Sequence, residues 1–81
     1  MLVKVYITPR RGILDPQGRA IVTSLKTLGF NNVGQVRMGK YIEVDVAANS
    51  SAEAEREVRR MCEQLLANSV IEDFRLEVDG E

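Results

Sequence analysis

The chain has 81 residues, 44% hydrophobic and 28% charged, a makeup that fits one small globular domain and excludes a disordered chain. With 11 basic and 12 acidic residues the net charge is −1, so nothing draws it broadly to nucleic acid or anionic lipid. One cysteine and no histidine rule out an internal disulfide and leave no ordinary zinc ligand set.

Leu2–Thr8 alternates apolar and polar residues, with Val3, Val5 and Ile7 on one side, which predicts a half-buried strand. Pro9-Arg10-Arg11-Gly12 breaks it. Asp15-Pro16 starts a helix, because Asp accepts from free N–H groups at an N-cap and Pro suits the first helical position. Ile21, Leu25 and Leu28 form its apolar stripe, Gly29 supplies the left-handed stop, and Phe30 is placed to pack back on the last turn.

Val33–Met38 and Tyr41–Val46 read as a hairpin about Gly39-Lys40, where Gly suits a type II′ turn. A two-residue turn sets Val36 opposite Glu43, and a three-residue loop sets it opposite Ile42; both registers stay open. Ser50-x-x-Glu53 is a capping box that starts a second helix. Its apolar face carries Ala54, Val58, Met61, Cys62 and Leu65, and it stops near Asn68. Ile71–Val78 is the last strand, with Phe74, Leu76 and Val78 on one side.

The order β-α-β-β-α-β predicts an α+β, ferredoxin-like fold: a four-stranded antiparallel sheet with two helices on one face, as a single domain over 1–81. The other face is left open, carrying Lys4, Tyr6, Thr8, Tyr41, Glu43, Asp45, Arg75 and Glu77. A domain of this size buries only about 60–65% of its unfolded surface, so association with itself or a partner is the expected source of added stability. No run of 18 apolar residues spans a membrane. The first strand begins almost at Met1, leaving no room for a signal peptide, and with the lone Cys this points to the cytoplasm.

Chemistry is scarce. Cys62 lies on an apolar helix face with no histidine to act as base, so core packing is its expected role. Glu43 and Asp45 share a sheet face rather than a cleft, which fits solvated or ion-paired carboxylates. Gly12 through Gly18 lacks the spacing and the Lys-Ser/Thr of a P-loop. Arg10 and Arg11 are of the type that grips an acid or phosphate, although a solvated turn is the plainer reading. The strand at Gly39–Val44 has some likeness to an RNA-binding strand, but Glu43 and Asp45 repel phosphates there.

Taken together, several segments resemble the PurS family. They are Lys4-Val5-Tyr6-Ile7, then Leu14-Asp15-Pro16-Gln17-Gly18, Leu28-Gly29-Phe30 and Val36-Arg37-Met38-Gly39-Lys40-Tyr41-Ile42-Glu43. Met61-Cys62-Glu63-Gln64-Leu65-Leu66-Ala67-Asn68 follows, continuing into Val70-Ile71-Glu72-Asp73-Phe74. Phe74 stands where the family pattern has Tyr, keeping the ring and losing a hydroxyl.

The resemblance implies a non-catalytic subunit of phosphoribosylformylglycinamidine synthase, the ATP-dependent C–N ligase of purine biosynthesis that takes nitrogen from glutamine. It implies a homodimer, or a dimer of dimers, that joins a PurL-like synthetase and a PurQ-like glutaminase and supports ammonia transfer between them. The complex uses ATP, Mg and glutamine, while this chain is expected to bind no cofactor or metal and to hold no catalytic residue. Partner contacts are expected at Arg10, Arg11, Gly12, Leu14 and Asp15, and at Gly39, Lys40 and Tyr41. An ACT-like small-molecule-binding regulatory module shares the element order and is the alternative.

Overall fold

The computed structural model describes residues 1–11 and 15–79. The elements are β1 (Leu2–Pro9), α1 (Pro16–Thr27), β2 (Lys40–Asp45), α2 (Ser51–Met61), a π-helical turn (Cys62–Leu66) and β3 (Glu72–Asp79). Among the described residues the sheet has three strands in the order β2-β1-β3, both pairings antiparallel. Central β1 sets Lys4 between Glu43 and Glu77, and Tyr6 between Tyr41 and Arg75. The alternation read from the sequence holds: Val3, Val5 and Ile7 are fully buried, with Ile42, Val44, Phe74, Leu76 and Val78 packed beside them.

The fold is α+β, but the expected four-stranded ferredoxin-like sheet is one strand short. Residues 33–39 form no strand among the described residues, and β2 pairs with β1 instead of folding back on Val33–Met38. Neither hairpin register exists. A type II′ turn needs a positive φ at its glycine, and Gly39 has none; Gly29, at 102°, is the one described glycine that does. Gly39 instead presses against the end of β1, where a Cβ would lie 2.3 Å from the Ile7 carbonyl oxygen. The three strands keep the spatial order of a ferredoxin-like sheet, and among the described residues no strand pairs along the outer edge of β2.

The expected pair of helices on one face is also reduced to one. The core draws on β1, Ala54 and Val58 of α2, and Cys62 and Ala67 just after it; no residue of α1 belongs to it. Helix α1 packs on the segment that failed to become a strand. Gly18 sits so close to Val36 that a Cβ would lie 1.9 Å from the Val36 carbonyl oxygen. Asp15 joins the two by accepting from Gly18 N at 3.1 Å and from Met38 N at 2.8 Å. The result is an arm, helix plus extended segment, standing off the sheet. The radius of gyration is 16.1 Å, against about 12 Å for a compact chain of this length. The extents are 50 × 26 × 14 Å.

The helix ends follow local chemistry. α1 is capped by Asp15 with Pro16 in its first turn. It closes on a Schellman motif, with Phe30 N donating to Leu25 O at 2.9 Å and Gly29 N to Lys26 O at 3.0 Å. Ile21 and Leu25 are half-buried as the stripe predicts, but Leu28 is 72% exposed and Phe30 is exposed, because the helix has no sheet beneath it. Ser50 Oγ accepts from Glu53 N at 3.1 Å, and the Glu53 carboxylate reaches back to Asn49 N at 2.9 Å, completing the capping box one residue early.

Beyond Met61 the helix widens to a π turn in which Ala67 N donates to Cys62 O at 3.0 Å. The extra residue rotates the inward positions onto Leu66 and Ala67. Leu65, expected on the apolar face, is therefore turned out and 83% exposed.

Candidate functional site

Of the expected partner-contact residues, Arg10, Gly39, Lys40 and Tyr41 lie together at one end of the sheet. Arg10 follows β1, Lys40 opens β2, and both reach the start of β3. Arg10 N donates to Ile71 O at 2.9 Å, and its guanidinium lies 3.4 Å from Asp73. Lys40 Nζ is 3.6 Å from the half-buried Glu72 carboxylate, whose other oxygen accepts from Asn68 N at 2.8 Å. Gly39 and Tyr41 flank Lys40, and Tyr41 lies half-exposed on the open sheet face. Gly12 and Leu14 fall outside the described residues.

Arg11 and Asp15 belong to a neighbouring feature that sequence reading missed. The end of β1, the start of α1 and residues 34–37 enclose a cleft of about 520 Å³. Arg10, Arg11, Arg19 and Arg37 line it, with Asp15 as the one carboxylate among its described lining residues. Asp15 is held below the usual carboxylate range, first by the Met38 N–H and then by the Gly18 N–H. Arg37 closes a third side by donating to the Pro9 carbonyl. Arg19 and Arg37 lie eighteen positions apart and belong to no common motif; only the docking of α1 on the extended segment unites them.

The open sheet face carries the side chains assigned to it. Tyr6 and Tyr41 lie with ring centroids 5.2 Å apart, and the Arg75 guanidinium sits 4.2 Å above the Tyr6 ring. Tyr6 Oη donates to Glu77 at 3.0 Å and Tyr41 Oη to Glu43 at 2.8 Å. Each bond raises its phenol pKa, since ionisation would set an oxyanion against a carboxylate; Tyr41 is pushed up to about 12. Lys4 Nζ pairs with Asp79 at 3.5 Å. This is a crossed lattice of bonded polar groups, not a cleft.

Cys62 is fully buried, and burial pushes its thiol pKa up, the reverse of what a nucleophile needs. Among the described residues no group of three or more His, Cys, Asp or Glu is placed to hold a metal ion. None of the described helices is long and apolar enough to cross a membrane. Phe74 packs its ring against the core, with the Arg59 guanidinium 5.6 Å from the ring centre.

The family model for PurS, described as phosphoribosylformylglycinamidine (FGAM) synthase, matches residues 2–80. The phosphoribosylformylglycinamidine synthase subunit PurS of Bacillus subtilis is 46% identical over 77 residues, covering 95% of this chain and 90% of that one. The subunit of the same name from Synechocystis is 45% identical over 75 residues, covering 93% and 75%. A crystal form of B. subtilis PurS superposes with a TM-score of 0.86 at 44% identity, covering 98% of both chains. A chain of the PurLQS structure from Thermotoga maritima superposes with a TM-score of 0.81 at 32% identity, covering 95% of this chain and 96% of that one. Sequence and backbone thus agree over almost the full length, and they favour this reading over an effector-binding module: the chain belongs to the PurS family of phosphoribosylformylglycinamidine synthase subunits.

Proposed function

We propose that this chain is the non-catalytic assembly subunit of phosphoribosylformylglycinamidine synthase, one PurS-like domain over 1–81 acting in the cytoplasm. It pairs with a second copy and bridges a PurL-like synthetase and a PurQ-like glutaminase. The complex uses ATP, Mg and glutamine, and bridging keeps ammonia released at the glutaminase from escaping before it reaches the synthetase. Holding the two larger subunits in a productive arrangement supports rate through positioning.

One observation carries this reading: the core ends at the sheet and α2, while an arm with half-buried Ile21, Leu25, Val33 and Val36 stands outside it. Residues 33–38 are extended backbone without a strand partner in the described chain, a surface suited to a second copy. The subunit contacts we assign are Arg10, Arg11, Gly12, Leu14 and Asp15, with Gly39, Lys40 and Tyr41. The clustering of Arg10, Lys40 and Tyr41 at one end of the sheet supports that assignment.

Charge reversal is the test. Lys40→Glu and Arg11→Glu are both at exposed positions and should leave the circular dichroism spectrum unchanged while weakening co-sedimentation with the two larger subunits. Unchanged assembly in both variants would remove these residues from the interface.

A further inference from the structure

The cleft between β1, α1 and residues 34–37 is a built feature with more arginines than carboxylates among its described lining residues. Its walls are pinned together by Asp15, which bonds Gly18 N and Met38 N, and by Arg37, which bonds the Pro9 carbonyl. Among its described lining residues are four arginines and one carboxylate, in a chain whose total charge is only −1. Asp15 accepts one backbone N–H on each oxygen and also feels the Arg37 charge, so it offsets part of the positive charge of the walls it joins. Arg10 has Asp73 as a partner, but Arg11 and Arg19 have no ion pair among the described residues. Val22 and Val36 add an apolar wall.

We propose that this cleft binds the phosphoryl group of a small phosphorylated metabolite, with Arg19 and Arg11 as its principal donors and Arg37 as a third. A guanidinium presents paired N–H donors that match phosphate oxygens, and several around one point favour a dianion over a single carboxylate. The volume of about 520 Å³ exceeds what a bare phosphate fills. It lies in the range of about 300–1,000 Å³ typical of small-molecule sites, which leaves room for a sugar-sized body against Val22 and Val36. Asp15 holds the walls rather than the ligand, and its charge opposes entry of an anion at the α1 N-terminus, so the arginines and not the helix end carry the binding.

The cleft shares Arg11, Asp15 and residues 34–37 with the surfaces assigned to assembly, so the test is made without the two larger subunits and at one fixed protein concentration. The chain is titrated with inorganic phosphate, ribose 5-phosphate and uncharged ribose at constant ionic strength, following backbone amide and arginine Nε–Hε signals by NMR. The expected result is a saturable response at Arg19, Val36 and Arg37, tighter for ribose 5-phosphate than for phosphate and absent for ribose. Arg19→Ala should weaken it at least about tenfold, the ratio that about 1.4 kcal/mol represents. Arg19→Lys should retain part of it, and Arg56→Ala, at an exposed α2 position, should retain all. Arg19 is an exposed helix position that tolerates either residue without loss of fold. A non-saturating response, equal responses in wild type and Arg19→Ala, or tighter binding of an oligoglutamate peptide than of ribose 5-phosphate would overturn the proposal.

Discussion

Substituting Gly18 by alanine tests whether α1 is truly docked on the extended segment. Two effects oppose each other. Alanine in a helix is favoured over glycine by about 0.8–1 kcal/mol, which on its own makes Gly18→Ala stabilising. Against this, the new Cβ would lie 1.9 Å from the Val36 carbonyl oxygen and 2.9 Å from its carbon. Non-bonded heavy atoms settle at about 3.5–4.0 Å. The atoms in the way are backbone, so no side chain can swing aside, and the cost falls toward the upper end of the roughly 1–3 kcal/mol typical of overpacking. The net expectation is a loss of about 2 kcal/mol, or roughly 8–16 °C in Tm for a domain of this size.

Urea denaturation of Gly18→Ala and wild type at matched protein concentration reads the difference, since association would make stability concentration-dependent. Amide exchange should locate the loss in α1 and residues 34–38, with the β1 amides still protected. Gly34→Ala is the internal control: nothing lies within 4 Å of its Cβ position and its φ is not positive, so it should be neutral or stabilising by about 0.4–1 kcal/mol. A Gly18→Ala protein as stable as wild type, or more so, would refute the docking of α1 on Val36.

Other expectations follow from the core, the caps and the open face. Ile7→Val, at a fully buried position in the central strand, should cost about 0.5–1.5 kcal/mol in urea titration. Tyr41 should ionise near pH 12 in a spectrophotometric titration, and Glu43→Gln should bring its midpoint down toward 10. Because the folded phenol pKa is the higher one, the stability linked to the Tyr41–Glu43 bond is present below about 10 and is lost as pH rises through about 12. Asp15 runs the other way: its depressed carboxyl pKa contributes stability above the ordinary value of 3.8, lost as pH falls through the lower folded value, and Asp15→Ala should remove that acid-limb dependence. Cys62 should resist alkylation at neutral pH in native protein and react at once in denaturant.

The parts of the fold legible in the sequence are those that local chemistry dictates. Alternation in Leu2–Thr8 and in Phe74, Leu76 and Val78 identifies the buried sheet face, and Asp15, Ser50 and Gly29 mark helix ends through hydrogen bonds to near neighbours. The missing strand fails for a different reason. Alternation in Val33–Met38 reports extended backbone with an apolar side, but not which chain covers that side. The stripe of α1 has the same ambiguity: it marks an apolar side, and the sheet is not what lies beneath it. Leu65 leaves the apolar face because a single extra residue in a π turn changes the helical phase, and no residue type announces such a turn. The cleft was invisible because its arginines come from a loop, a helix and an extended segment, and become one feature only once Gly18 meets Val36.

Reconstitution addresses the bridging role most directly. Purified PurL-like and PurQ-like partners from the same cell are mixed with and without this chain, and glutamine-dependent synthase activity is measured alongside complex mass by light scattering. Glutamine-dependent activity and a larger complex should appear together only when the chain is present, while activity with ammonia as donor should depend on it far less. Full glutamine-dependent activity from the two larger proteins alone, or a chain that neither joins the complex nor changes its rate, would contradict the bridging role.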